Sequence, residues 1–99
     1  MPDGSLEALE GEGTVLIEFY LPGCPPCKRL KPKIEKFAKK TGIQVVKVNL
    51  REKRFDKVAD RFGVSETPTV IIAKDGVEVA RQQAPTTQRE LKKLVEKAN

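Results

Sequence analysis

The sequence predicts an α/β fold in which a mixed β-sheet carries helices on both faces. An apolar run at 14–20, a helical repeat and a second apolar run at 43–50 follow one another, which is typical of a parallel strand–helix–strand unit. Two further apolar runs flank Lys74-Asp75-Gly76, a strong signal for an antiparallel hairpin. The length of 99 residues allows one hydrophobic core, so residues 1–99 are expected to form a single domain.

The first predicted strand, Thr14–Tyr20, consists of β-branched, aliphatic and aromatic residues and is followed by Pro22-Gly23. Glu18 is the charged residue within this strand. Because helices cover both faces of such a sheet, we expect its carboxylate to be buried. Before the strand, Ser5–Glu10 is predicted to form one short helical turn that ends at Gly11.

The longest predicted helix runs from Cys24 to about Lys40. Its apolar residues recur at helical spacing in register with Cys27, which places that cysteine on the inward face; they are Leu30, Ile34, Phe37 and Ala38. Pro32 lies within this pattern and is expected to kink the helix. Thr41-Gly42 supplies the stop signal.

The second half of the chain is predicted to contain a helix, a hairpin and a final helix. The first of these helices covers Phe55–Phe62, and the hairpin strands are Thr69–Ala73 and Val77–Arg81. Thr87 and Glu90 have the spacing of a capping box. The apolar stripe of the final helix consists of Leu91, Leu94, Val95 and Ala98.

Cys24 and Cys27 are the two cysteines of the chain, and both lie at the predicted start of the first helix. The helix dipole and the unpaired amides of a first turn favour an anion, so they lower the pKa of a thiol placed there. Pro25 and Pro26 fit a first turn but donate no hydrogen bond, which leaves the amides of Cys27 and Lys28 as donors to a thiolate. A disulfide across so short a loop adds little stability, so the pair indicates redox chemistry.

The net charge of +5 is unevenly distributed. One glutamate, Glu35, accompanies seven basic residues on the first predicted helix: Lys28, Arg29, Lys31, Lys33, Lys36, Lys39 and Lys40. Aromatic side chains that could stack on bases do not alternate with these cations, so we expect an acidic protein partner and no nucleic acid. The sequence shows neither a membrane span nor a signal peptide, and we expect a cytoplasmic monomer.

From about residue 14 to its end, the sequence resembles the thioredoxin family. The resemblance rests on an ordered set of features, namely Glu18, Cys24-Pro25-Pro26-Cys27-Lys28, Pro32, Thr67-Pro68-Thr69 and Gly76. It implies a thioredoxin fold with a central mixed four-stranded sheet and a shortened N-terminus, in which strand 43–50 lies outside strand 14–20 and the two hairpin strands follow.

The resemblance also implies roles for four side chains. Cys24 would attack a substrate disulfide and Cys27 would resolve the mixed disulfide, so the redox-active disulfide Cys24–Cys27 replaces any cofactor. Glu18, where the family usually has aspartate, would accept the proton of Cys27. Lys47 would lie near Glu18 and offset part of the cost of its burial. Partners would be disulfide-containing client proteins and an electron donor of the thioredoxin-reductase type.

The substrate-binding surface implied by the resemblance consists of Gly23, Pro25, Pro26, Thr67, Pro68, Gln83 and Ala84. Pro68 would be cis, which leaves the backbone of Thr67 free to pair with an extended substrate strand. Gly23 stands where the family has tryptophan, Thr67 where it has an apolar residue, and Ala84-Pro85 where it has Gly-Ala. A less apolar groove with different clients is therefore expected.

Three alternatives stay open at this point. A glutaredoxin-like protein is favoured by the proline after the first cysteine, whereas the glycine pair expected for glutathione binding is absent. A metal-binding module would need a dimer, because one chain offers two cysteines and no histidine. A redox-silent adaptor that docks through its basic helix would survive mutation of both cysteines.

Overall fold

The computed structural model describes residues 13–99, so the helical turn predicted over Ser5–Glu10 lies outside the described residues. Within them, one sheet has the strand order β2-β1-β3-β4. Its strands are β1 (Thr14–Tyr20), β2 (Gln44–Asn49), β3 (Thr69–Lys74) and β4 (Val77–Gln83). β1 pairs with β2 in parallel and with β3 in antiparallel orientation, and β3 pairs with β4 in antiparallel orientation. The predicted mixed sheet and its strand order are confirmed.

The helices of the described part are α1 (Pro25–Thr41), α2 (Asp56–Phe62) and α3 (Gln88–Glu96), and a 3₁₀ turn precedes α2. α1 continues through Pro32 and ends at Gly42, whose φ of 75° is one that glycine adopts without strain. Pro32 therefore does not end the helix, and its kink stays a prediction. The capping box predicted at the start of α3 is present.

The side chains of β1 alternate between two hydrophobic clusters, one on each face of the sheet. Val15, Ile17 and Phe19 point toward α2, where they pack with Val46, Val48, Phe55, Val58, Phe62, Ile71 and Ala73. Leu16 points toward α1 and α3, together with Leu30, Ile34, Phe37, Val70, Ile72, Ala80, Leu91, Leu94 and Ala98. Helices thus cover both faces, as predicted, and Glu18 shares the face of Leu16.

The hairpin turn lies at one end of the sheet, and the cysteines lie at the other. At the amino end of β1, the hairpin residue Asp75 donates its N–H to the Gly13 carbonyl (2.9 Å) and accepts the Gly13 N–H on its carboxylate (2.7 Å). At the other end, the chain leaves β1 toward α1, enters β3 and leaves β4. The cysteines and the Thr67-Pro68 loop therefore meet at this end. Within residues 13–99, none of the helices has the length and apolar character needed to cross a bilayer.

Candidate active site

A tight turn delivers Cys24 to the start of α1. The Cys24 N–H donates to the Leu21 carbonyl at 3.3 Å, so Pro22 and Gly23 occupy the central positions of this turn. Gly23 has a φ of 80°, and a type II turn requires a positive φ at its second central residue. Any residue with a Cβ is strained in that conformation, which explains why glycine stands here.

Cys24 is the N-cap residue of α1 and is partly exposed. Its Sγ accepts hydrogen bonds from the Cys27 N–H at 3.4 Å and from the Thr67 Oγ1 at 3.7 Å. The pKa of Cys24 is lowered, first by a hydrogen bond from the Cys27 thiol, and further by the Cys27 amide, the Thr67 hydroxyl and the charge of Arg29. The helix N-terminus favours the same anionic form. Cys24 can therefore present a thiolate to a substrate.

One predicted donor to this thiolate is wrong, and one donor was missed. The Lys28 N–H donates to the Cys24 carbonyl at 3.0 Å, as in any first helical turn, so it is not available to the sulfur. The hydroxyl of Thr67 takes its place as the second donor beside the Cys27 amide. Thr67 lies 43 residues from Cys24 along the chain, and no local sequence pattern indicates such a contact.

Cys27 is buried, in contrast to the partly exposed Cys24. Its side chain is 4% exposed, and it faces the α1/α3 side of the sheet. Burial raises the pKa of Cys27, and its hydrogen bond to Cys24 raises it further, because both favour the protonated thiol. The two sulfurs therefore differ: the environment of Cys24 favours a thiolate near the surface, and that of Cys27 favours a buried thiol.

Glu18 is buried, with 3% of the residue exposed, and its Oε1 has no hydrogen-bond partner among residues 13–99. Burial raises the pKa of Glu18, while the positive charge of Lys47 opposes that rise. Glu18 and Cys27 line the same cavity of about 320 Å³, together with Lys28, Lys31 and Lys47. The cavity is large enough to hold water.

Lys47 lies opposite Glu18 in the parallel register of β1 and β2, as the resemblance implies. Its Nζ forms an ion pair with Glu35 Oε2 on α1 at 3.8 Å, and its side chain is 40% exposed. The positive charge of Lys47 thus acts on Glu18 electrostatically, and the same ammonium forms an ion pair with the exposed Glu35. Lys31, which was not predicted for the site, follows Cys27 by four residues, a spacing that places both on one side of a helix.

The remaining predicted residues surround Cys24 at the same end of the sheet. The Thr67–Pro68 peptide bond is cis, as the resemblance implies. The Ala84 N–H donates to the Pro68 carbonyl at 2.9 Å, and Gln83 lies opposite Thr69, which brings the end of β4 beside the proline loop. The backbone of Thr67 makes no hydrogen bond to other backbone groups within the described part of the chain. A partner can therefore pair with it.

Comparison with known proteins agrees with this geometry. The model of the thioredoxin family matches residues 6–97. The chain belongs to the thioredoxin family. It is 33% identical to thioredoxin from Bacillus subtilis (strain 168) over 97 residues, which cover 96% of this chain and 91% of that protein. It is also 36% identical to thioredoxin from Chlamydia muridarum over 86 residues, covering 86% and 82% of the two chains.

Solved structures of thioredoxins share the fold. A point mutant of thioredoxin from Halobacterium salinarum NRC-1 matches with a TM-score of 0.80 and 30% identity, over 91% of this chain and 78% of that one. Thioredoxin from Fasciola hepatica matches with a TM-score of 0.77 and 25% identity, over 95% and 88%. The predicted thioredoxin fold is confirmed, and the spacing of Cys24 and Cys27 is consistent with a thiol-disulfide oxidoreductase of this family.

Proposed function

We propose that this thioredoxin-family chain reduces disulfides of client proteins, with Cys24 as the nucleophile and Cys27 as the resolving thiol. The observation that carries the proposal is the difference between the two sulfurs. Cys24 is partly exposed and accepts hydrogen bonds, which lower its pKa, whereas Cys27 is buried and its pKa is raised. A thiolate therefore forms where a substrate can reach it, and a second thiol lies one helical turn further inward.

The reaction consists of two thiol-disulfide exchanges. First, Sγ of Cys24 attacks one sulfur of the substrate disulfide, so that a mixed disulfide forms and the other substrate sulfur leaves as a thiolate. Second, Sγ of Cys27 loses its proton and attacks Sγ of Cys24, which breaks the bond to the substrate and releases its second thiolate. Two electrons have then passed from the protein dithiol to the substrate, and its two leaving thiolates take up as many protons as Cys24 and Cys27 have released. A reductase of the thioredoxin-reductase type, in the cytoplasm, restores the dithiol.

Glu18 is the proposed acceptor for the proton of Cys27. The support is the cavity that the two side chains share, together with the unpartnered Oε1 of Glu18. Burial raises the pKa of Glu18, which makes it a stronger base than an ordinary carboxylate. Lys47 is proposed as a positioning residue, because its charge limits that rise while its ammonium is paired with Glu35.

Client proteins are proposed to bind across Gly23, Pro25, Pro26, Thr67, Pro68, Gln83 and Ala84. An extended client segment would pair with the backbone of Thr67, which has no backbone partner among residues 13–99. The hydroxyl of Thr67 and the exposed amide of Gln83 make this surface more polar than an apolar groove. Clients whose segments offer hydrogen bonds beside the disulfide are therefore favoured.

The experiment uses a synthetic peptide with one intramolecular disulfide and dithiothreitol as the electron source. The wild-type chain is expected to accelerate reduction of the peptide, and Cys24→Ser is expected to abolish that acceleration. The matched variant Cys27→Ser, reduced beforehand and freed of dithiothreitol, is expected to accumulate a mixed disulfide between Cys24 and the peptide, because the second exchange is blocked. Mass spectrometry of acid-quenched samples identifies this adduct.

Three outcomes would contradict the proposal. No acceleration of peptide reduction by the wild-type chain would assign it to the redox-silent adaptor alternative, and acceleration by Cys24→Ser equal to that of the wild type would exclude Cys24 as the nucleophile. An absolute requirement for glutathione, with dithiothreitol ineffective, would favour the glutaredoxin-like alternative instead.

A further inference from the structure

A groove lies between the C-terminal half of α1 and α3, on the part of the α1/α3 face remote from the cysteines. Its volume is about 730 Å³, and it is lined by Phe37, Lys40, Gln88, Arg89, Lys92 and Val95. We call it the α1–α3 groove. Lys40 follows Cys24 by sixteen residues of helix, which corresponds to about 24 Å along the axis of α1. A partner in the groove therefore leaves Cys24 accessible.

The groove is strongly cationic. Lys40, Arg89 and Lys92 are exposed along it, and Glu96 is the one acidic side chain in its lining. Gln88 also lines an adjoining depression, which adds Lys33 and Lys36 and no acidic residue. None of these five cations forms an ion pair with another residue of the described chain. An unneutralised cluster of this kind attracts an anionic partner and accelerates its association.

The floor of the groove is fixed and partly apolar. Gln88 Nε2 donates to the Lys33 carbonyl at 2.8 Å, which ties the start of α3 to the middle of α1. Phe37 and the half-buried Val95 form the apolar part of the lining. A prearranged floor reduces the entropy lost when a peptide binds.

We propose that the α1–α3 groove binds an acidic segment of a partner protein, independently of the thiols. The charge of the groove complements aspartate and glutamate side chains, and Val95 offers contact for one apolar residue among them. A nucleic acid is disfavoured, because no exposed aromatic residue lines the groove to stack on bases and Glu96 repels phosphates. This docking goes beyond disulfide reduction, since it places a partner at the end of α1 that does not carry Cys24.

The test measures fluorescence anisotropy of a labelled peptide rich in Asp and Glu with one central Leu, at low and at physiological salt. The probe is expected to bind the wild-type chain and the Cys24→Ser variant equally. Lys40→Glu/Arg89→Glu/Lys92→Glu is expected to weaken binding at least about tenfold, because three attractive pairs are lost. The matched variant Arg51→Glu/Lys53→Glu/Lys57→Glu changes the net charge equally on another surface and is expected to weaken binding less than about twofold.

Three outcomes would overturn the proposal. These are equal loss of binding in the two triple variants, no binding to the wild-type chain, and tighter binding of a single-stranded oligonucleotide than of the peptide at the same sites. Circular dichroism checks that each variant is folded. If the charge-reversal variant does not fold, Lys40→Gln/Arg89→Gln/Lys92→Gln provides the same comparison, and binding equal to that of the wild type would then reject the groove. Failure here leaves the peptide-disulfide assay of the proposed reductase unaffected.

Discussion

The two faces of the sheet bury side chains of different kinds. Toward α2, the buried residues contributed by β1 are apolar, namely Val15, Ile17 and Phe19. Toward α1 and α3, the same strand buries Leu16 but then Glu18, and Cys27 lies beyond it. Because the side chains of β1 alternate between the two faces, the strand contributes only apolar side chains to the α2 face and contributes the buried acid to the α1/α3 face. The buried carboxylate and the buried thiol lie at one end of this face, near the N-terminus of α1.

The buried carboxyl of Glu18 on the α1/α3 face lowers the stability of the fold. An unpartnered carboxyl oxygen within a core is unfavourable, and the α2 face contains no such group among its clustered residues. A buried acid without a hydrogen-bond partner is typical of a position retained for chemistry. Changes on the two faces should therefore separate stability from reactivity.

The largest expected effect on stability is on the α2 face. Phe19 is fully buried and packs edge-to-face on Phe62, with ring centroids 6.2 Å apart. Phe19→Ala is expected to lower the free energy of unfolding by about 3–5 kcal/mol, because it leaves a cavity. Urea unfolding measures this change, with Val79→Ala on exposed β4 as the control. Alkylation of Cys24 in the folded variant should keep its wild-type rate. A large change in that rate would show that the faces are not independent.

The next-largest expected effect is an increase in the free energy of unfolding, caused by a substitution on the α1/α3 face. Glu18→Leu removes the unpartnered carboxyl and is expected to raise the free energy of unfolding by about 1–3 kcal/mol at neutral pH. Because burial raises the pKa of Glu18, the unfolded chain ionises first as the pH rises above the ordinary value of 4.5, and the wild type loses stability there. The advantage of Glu18→Leu should therefore shrink as the pH is lowered toward 4.5 and below.

Denaturant titrations at several pH values measure this dependence. Glu18→Gln serves as the control for the chemistry, since it keeps the size of the side chain and removes the base. Both variants should slow the release of reduced peptide from the mixed disulfide. A Glu18→Leu variant less stable than the wild type at neutral pH would contradict the cost assigned to this carboxyl.

A smaller effect concerns the pKa of Cys24. Thr67→Val removes the hydroxyl that donates to Cys24 Sγ, so the pKa of that thiol is expected to rise. One hydrogen bond of about 0.5–1.5 kcal/mol corresponds to a roughly two- to tenfold slower alkylation by iodoacetamide at neutral pH. Thr67→Ser keeps the hydroxyl and should react at the wild-type rate. Equal slowing in both variants would point to packing as the cause.

The smallest effect is a gain in stability at the edge of the site. Ala84 has a φ of 47°, in the left-handed region that costs a residue with a Cβ about 1–2 kcal/mol. Ala84→Gly removes this strain and adds unfolded-chain entropy, so a net gain of about 0.5–1 kcal/mol in thermal unfolding is expected. Ala80→Gly, at a buried position of β4, is the control and should lose stability. A loss at both positions would contradict the strain at Ala84.

The architecture could be predicted because its signals are local. The bounds of β1 were predicted exactly, and those of the hairpin and of α1 differ by a few residues, since apolar periodicity, Gly42 and the Asp75-Gly76 turn all lie within the elements they define. The fold class itself needed only the order of those elements.

The site could be predicted only in part, because its contacts join distant residues. The burial of Glu18 follows from a sheet covered by helices on both faces, and its link to Cys27 was implied by the resemblance to the thioredoxin family. The donation by Thr67 to Cys24 does not, since it depends on where the proline loop meets α1 in space. The same is true of Lys47, whose ion pair with Glu35 joins β2 to α1.

The difference between the two thiols is tested most directly by their separate pH-dependent alkylation. The reduced wild-type chain is pulsed with iodoacetamide across a pH series, and the modified cysteine is identified by mass spectrometry of its peptides after digestion. We expect Cys24 to react first, with a midpoint below that of a thiol in an unstructured peptide, and Cys27 to react only at higher pH. Faster reaction of Cys27, or a common midpoint for both, would contradict the assignment of Cys24 as the nucleophile.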